Sequence, residues 1–227
     1  MQNQCVSRSR DGFVHYLVTS IICRGYWFYV TGRIPDDKAP ELIDEKLIAK
    51  YEAGIAKSTR WRRKKLGKAN IRYLRWGRFF VIFATKGEHP FFTEEANIRD
   101  IRKIPLKVGG YSISFRRDGR PRSGRGEQFR VHVRIEAERY KELLAEFEHY
   151  ACRMSPDRLA AKLYELPFQG YAPVRRQLCS ILRVINRRRC RAGMSVIPKE
   201  SLFFHRARTS EGDGLATEVK PKTRVVT

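Results

Sequence analysis

The chain has 227 residues, 42 % of them hydrophobic, which is enough to bury a core in one large domain or two small ones and excludes a wholly disordered polymer. Its 47 Lys and Arg residues against 24 Asp and Glu leave a net charge of +23, far beyond what solubility requires, so a polyanion is the natural partner. Nucleic acid comes before an anionic membrane surface, because each phosphate neutralised releases a condensed counterion without any need for sequence recognition.

The first eleven residues are polar and read as a frayed start. Gly12 to Thr31 is apolar but holds His15 and Arg24. A charge near a bilayer centre costs roughly 2.5 to 3.5 kcal/mol on insertion scales, so a membrane span is rejected. Its β-branched and aromatic content suits strands better than a helix, although the type of the Phe13 to Cys23 element stays open. Tyr26 to Arg33 reads as a strand, stopped by Ile34-Pro35-Asp36-Asp37. A helix follows from Pro40. Glu41 and Asp44 complement its positive dipole end, and Ile43, Leu47, Ile48 and Tyr51 make its apolar face.

Residues 55 to 67 read as a short cationic helix, with Ser58 or Thr59 as N-cap and Gly67 as stop. Ile71 to Leu74 and Phe79 to Thr85 form a hairpin turning at 75–78, and the second of these strands is apolar on both faces, hence central or covered by helices on both sides. A brief helix is expected around Glu94 to Arg102. Gly110 to Phe115 and Gln128 to Ile135 are further strands, separated by an Arg- and Gly-rich loop. From Glu136 the pattern is helical. Tyr140, Leu143, Leu144 and Phe147 mark one helix, and Ser155-Pro156-Asp157 opens a second. A third begins at Pro173, carries Val174, Leu178, Ile181, Leu182 and Ile185 on one face, and ends at Gly193.

These elements predict an α+β architecture: an antiparallel or mixed sheet domain over 12–135 with a basic helical insertion, a helical unit over 136–198, and a largely disordered tail over 199–227. The strand, helix, hairpin order resembles ferredoxin-like sandwiches, a likeness of fold that fixes no activity. Cys5, Cys23, Cys152, Cys179 and Cys190 show no C-x-x-C pair or zinc-site spacing. Reduced thiols, no bound metal and a cytoplasmic, nucleic-acid-associated chain are therefore expected.

Four basic constellations carry the functional reading. In the first, Lys57, Arg60, Arg62, Arg63, Lys64, Lys65 and Lys68 surround Trp61, and so dense a run is easiest to understand against phosphates, with Trp61 either a core anchor or a stacking surface. In the second, strand alternation puts Arg130, His132 and Arg134 on the face opposite Phe129, Val131, Val133 and Ile135. The loop arginines Arg116, Arg117, Arg120, Arg122 and Arg125 are the third. The fourth is Arg176, Arg183, Arg187 and Arg191 on the outer face of the last helix, with Arg175, Arg188 and Arg189 nearby. That helix and its predecessor resemble a helix-turn-helix joined by too long a connection.

The expected function is binding of duplex DNA or structured RNA through the phosphate backbone, within a nucleoprotein complex where other proteins can take part. One alternative is a Mg²⁺-dependent nuclease or recombination enzyme of a mobile element, using His89, Glu94, Glu95 and Asp100. A structural protein of a ribonucleoprotein is the other. No cofactor is expected except Mg²⁺ under the nuclease alternative.

Overall fold

The computed structural model describes residues 6–117 and 129–202. It shows an α+β protein with a mixed five-stranded sheet, an antiparallel three-stranded sheet and a C-terminal helical region. Two compact units divide between Asp100 and Ile101. The second sheet thus groups with the C-terminal helices, whereas the sequence reading divides the chain after 135.

The first unit opens with β1 (Val6–Ser7) and α1 (Arg10–Tyr16), where a frayed end was expected. Ser9 caps α1 by accepting the Gly12 N–H at 3.0 Å. The helix runs on as a π-type turn over Leu17–Ile21 and a 3₁₀ turn over Ile22–Arg24, so the preference for strand in this region is overturned. Phe13, Val14, Leu17, Ile21 and Ile22 are all buried, and their offsets of 0, 1, 4, 8 and 9 define a helix face that outweighs β-branched content.

β2 (Tyr26–Arg33) matches expectation, and α2 (Pro40–Lys50) begins with proline in its first turn. α3 (Lys57–Lys65) starts one residue earlier than Ser58, with Ala56 at the cap position and no side-chain cap. β3 (Ile71–Trp76) and β4 (Phe79–Thr85) form the hairpin. α4 (Phe91–Glu94) ends where a helix was expected to begin, and Arg99–Asp100 is the short edge strand β5 rather than helix. The strand order is β1-β3-β4-β2-β5, with β1 parallel to β3 and the other pairs antiparallel.

β4 is therefore central, and its two apolar faces have separate coverings. Ile82 and Ala84 join Ile71, Tyr73, Tyr51 and Phe91 in a core under α2 and α4. On the opposite face Phe79 meets Phe13 of α1, with ring centroids 6.2 Å apart. Helices on both faces depart from the one-sided ferredoxin-like arrangement. Asp44, read from sequence as a dipole partner, is instead buried and takes a bidentate contact from Arg75, Nε lying 2.9 Å from each carboxylate oxygen. This ion pair ties α2 to β3.

In the second unit β6 (Leu106–Val108), missed in the sequence, pairs with β7 (Tyr111–Arg117), which pairs with β8 (Phe129–Ile135). α5 (Ala137–Tyr150), α6 (Pro156–Tyr164) and α7 (Ala172–Arg191) follow, α6 capped by Ser155. Gln177 of α7 reaches the edge of β8: its Oε1 accepts the Ile135 N–H at 2.8 Å and its Nε2 donates to the Ile135 carbonyl at 3.2 Å. The side-chain amide thus stands in for a missing strand. After α7, Lys199–Ser201 is a 3₁₀ turn and Leu202 is buried, so the tail expected to be disordered starts with ordered chain; residues 203–227 lie outside the described residues.

Candidate nucleic-acid interface

α3 has no buried residue and no acidic residue, and its cations would repel one another if nothing held them. The hold comes from its flanks. Arg60 Nη1 donates to the Ile55 carbonyl at 2.6 Å, Asn70 Nδ2 donates to the Arg60 carbonyl at 3.0 Å, and Arg63 pairs with Glu52. Beyond the helix, Gly67 has φ +71 and its carbonyl accepts the Glu88 N–H at 3.1 Å, while Ala69 N–H donates to the Glu88 carbonyl at 3.0 Å. These two loops pass so close at Gly87 that a Cβ there would lie 2.5 Å from both Ala69 N and the Gly67 oxygen. Only glycine allows that approach.

Residues 57, 60, 61 and 64 share one stripe of α3, and this stripe forms a wall of a cavity of about 380 Å³. Lys57, Arg60 and Lys64 meet there Arg24 from the 3₁₀ turn, Arg72 from β3 and Lys86 after β4. No Asp or Glu lines the cavity, and none of the six cations has a carboxylate partner among the described residues. Arg72 donates instead to the Tyr16 hydroxyl. Tyr26 also lines the site; burial raises its phenol pKa, with Arg60, Arg72 and Arg24 pulling it the other way.

Trp61 is 59 % exposed, which removes its reading as a core anchor. The Lys65 ammonium lies over its ring, 3.9 Å from the centroid. Trp27 contributes a second indole to the cavity for a backbone reason: β2 pairs Tyr26 with Thr85 and Phe28 with Ala84, so Trp27 is the extra residue of a bulge. Bulges re-aim side chains, and this one turns an indole toward the cations.

Of the basic run read from sequence, Lys57, Arg60, Trp61 and Lys64 come together here. Arg62 stands exposed, and Arg63 and Lys68 line a second cavity of about 470 Å³ with Lys50, Glu52, Glu88 and His89. Arg24, Arg72, Lys86, Tyr26, Trp27 and Asn70 are the contributors that the sequence reading missed. The first three are isolated cations in apolar or mixed segments, and only the fold adds them together.

In the second unit the alternation of β8 leaves Arg130 and Arg134 exposed and Val133 and Ile135 buried, while Phe129 is half exposed and stacks on Phe115 at 5.7 Å. Arg116 pairs directly opposite Arg130 and Arg117 opposite Phe129. His132 is only partly exposed, opposite the buried Ser114, so the basic face is narrower than period two implies. Arg120, Arg122 and Arg125 lie outside the described residues.

α7 exposes Arg176, Arg183, Arg187 and Arg191 along one stripe, as expected. Arg189 is a correction: it is 1 % exposed, and its Nη1 donates to the carbonyls of Ala151 at 2.7 Å and Met154 at 2.8 Å, beside the C-terminal end of α5. It is a structural cation.

The nuclease candidates are dispersed. Glu94 pairs with Lys50 at 3.1 Å, Glu95 accepts the Tyr51 hydroxyl, and Asp100 sits on the edge strand opposite Phe28. His89 Nδ1 accepts the Phe91 N–H at 3.1 Å, and burial, then the Arg63 charge, lower its pKa. Glu94 is the last residue of α4 and Glu95 its C-cap. Among the described residues no three His, Cys, Asp or Glu side chains converge as a metal site would require. Also among the described residues, no helix is long and apolar enough to cross a membrane. Comparison of the chain with protein-family models, curated proteins and solved structures finds no match.

Proposed function

We propose that the protein binds nucleic acid through its phosphate backbone, with the cavity beside α3 as the main contact. The observation that carries this reading is the convergence of Arg24, Lys57, Arg60, Lys64, Arg72 and Lys86 on one concavity that no carboxylate lines. Such a concavity focuses positive potential, and a chain of phosphates is the anion that answers several cations at once. The arginine stripe of α7 and the Arg116–Arg130 end of the second sheet supply further phosphate contacts.

Salt dependence is the test. Engagement of six to ten phosphates predicts that affinity falls by roughly 10³ to 10⁵ between about 50 and 200 mM salt. Changing Lys57, Lys64 and Lys86 together to Ala removes three cations that pack against no core and flattens that dependence. Binding that is insensitive to salt, or a slope that the triple variant leaves unchanged, defeats the proposal.

A further inference from the structure

The cations account for phosphates, but they do not account for the aromatic side chains set among them. Trp61 sits on the cavity wall with more than half of its surface in solvent, although an indole of that size is normally covered when a fold has room for it. Trp27, at the bulge of β2, lines the same cavity, and Tyr26 adds a third ring. At the floor Asn70 is 4 % exposed; its Nδ2 is used by the Arg60 carbonyl, whereas its Oδ1 has no donor among the described residues. Buried acceptors are normally satisfied, and the amino group of a base or the hydroxyl of a ribose is a donor of the kind that this one lacks.

Duplex DNA offers phosphates on a convex surface and keeps its bases stacked inside, so it has no use for aromatic rings in a concavity. A single strand presents unstacked bases beside its phosphates, and rings set among cations serve both parts of each nucleotide. The cavity volume of about 380 Å³ falls within the roughly 300–1,000 Å³ usual for small-ligand sites.

We infer that the cavity beside α3 captures one unstacked nucleotide of a single-stranded nucleic acid, its base stacking on Trp61 and its flanking phosphates held by Arg24, Arg60, Lys64 and Arg72. This rests on the nucleic-acid reading above and narrows it to strands with free bases. Stacking is tolerant of base identity, so the site selects for strandedness before sequence.

The experiment is a fluorescence-anisotropy titration of the full chain at about 100 mM salt. Its ligands are a single-stranded oligonucleotide, an abasic sugar-phosphate oligomer of the same length, and the matched duplex. The oligonucleotide and the duplex are each used as DNA and as RNA. Wild-type protein prefers the oligonucleotide to the abasic oligomer. Trp61→Ala weakens oligonucleotide binding by about fivefold to a hundredfold, the worth of one stacked base, and leaves the abasic oligomer unaffected. Trp61→Phe restores most of the loss, and because Trp61 is exposed, both variants keep the wild-type circular dichroism spectrum.

Duplex bound as tightly as single strand, or equal losses for oligonucleotide and abasic oligomer in Trp61→Ala, overturns nucleotide capture while leaving phosphate binding intact. A mononucleotide that binds as tightly as the oligonucleotide overturns the strand assignment. Absence of binding to every nucleic acid overturns the nucleic-acid reading itself, and the inference with it. The DNA and RNA arms name the strand.

Discussion

The cavity beside α3 and the outer stripe of α7 are both dense in cations, yet they are built in opposite senses. In the first, six cations from four separate parts of the chain converge on one concavity and share it with three aromatic rings. In the second, Arg176, Arg183, Arg187 and Arg191 come from one helix and spread along about 22 Å of it, with no aromatic residue in the stripe. A convex row of guanidinium groups can follow a backbone but cannot enclose a base. A concave cluster can do both. Charge count alone does not separate these cases; curvature and the presence of rings do.

The largest effect expected comes from an arginine inside the α7 run that belongs to neither class. Arg189 donates to the carbonyls of Ala151 and Met154, and its Nε donates to the Ser195 carbonyl at 2.5 Å. Replacing it with Met strands three acceptors, two just past the end of α5 and one just past the end of α7, a loss of about 3 kcal/mol or more in unfolding free energy. Arg187→Ala, two residues away and exposed, should stay within about 0.5 kcal/mol of wild type. Urea denaturation of the two variants checks this, and equal stabilities would show that Arg189 belongs with the surface arginines.

A smaller effect sharpens the contrast in curvature. Changing Arg183, Arg187 and Arg191 to Ala removes three convex cations, which should lower the slope of log K against log salt by roughly 2 to 3 for duplex if each contacts a phosphate. For single strands held in the α3 cavity the same variant should change the slope much less. Loss of slope in equal measure for both ligands would mean that the stripe does not distinguish duplex from single strand.

Much of this arrangement was legible in the sequence where the signal is local. Period 3.6 in residues 174–185 gave the buried face of α7, period two gave that of β8 only at Val133 and Ile135 while Phe129 is exposed, and the doubly apolar Phe79–Thr85 placed β4 at the centre of its sheet. Misreadings arose where a long-range partner decides the outcome. Asp44 looks like a dipole partner until Arg75 is brought beside it, and Glu95 looks like a free acid until Tyr51 meets it. The cavity shows the same limit. Lys57, Arg60, Trp61 and Lys64 were visible as a run, but Arg24, Arg72 and Lys86 join them only through the register of β2, β3 and β4 and the bulge at Trp27. A bulge leaves no mark in composition.

The smallest effect concerns the other cavity and separates it from the first by pH. His89 is half-buried, its Nδ1 occupied by the Phe91 N–H, and burial together with the Arg63 charge lowers its pKa from about 6.5, against the opposing pull of Glu52 and Glu94. A proton at Nδ1 has to break that hydrogen bond and face the Arg63 guanidinium. The unfolded chain carries no such penalty and protonates first as pH falls. Stability is therefore fully present above about pH 6.5 and declines as acid is added, until the lower folded-state pKa is passed and both states carry the proton. His89→Asn keeps an acceptor for the Phe91 N–H but does not titrate, so its denaturation midpoint should fall less than that of wild type between about pH 7 and 5. The α3 cavity holds no histidine, so the direct titration of His89 adds no term to single-strand binding over the same window. If wild type and His89→Asn lose stability in parallel, His89 is not the group that responds, and the second cavity is as indifferent to acid as the first.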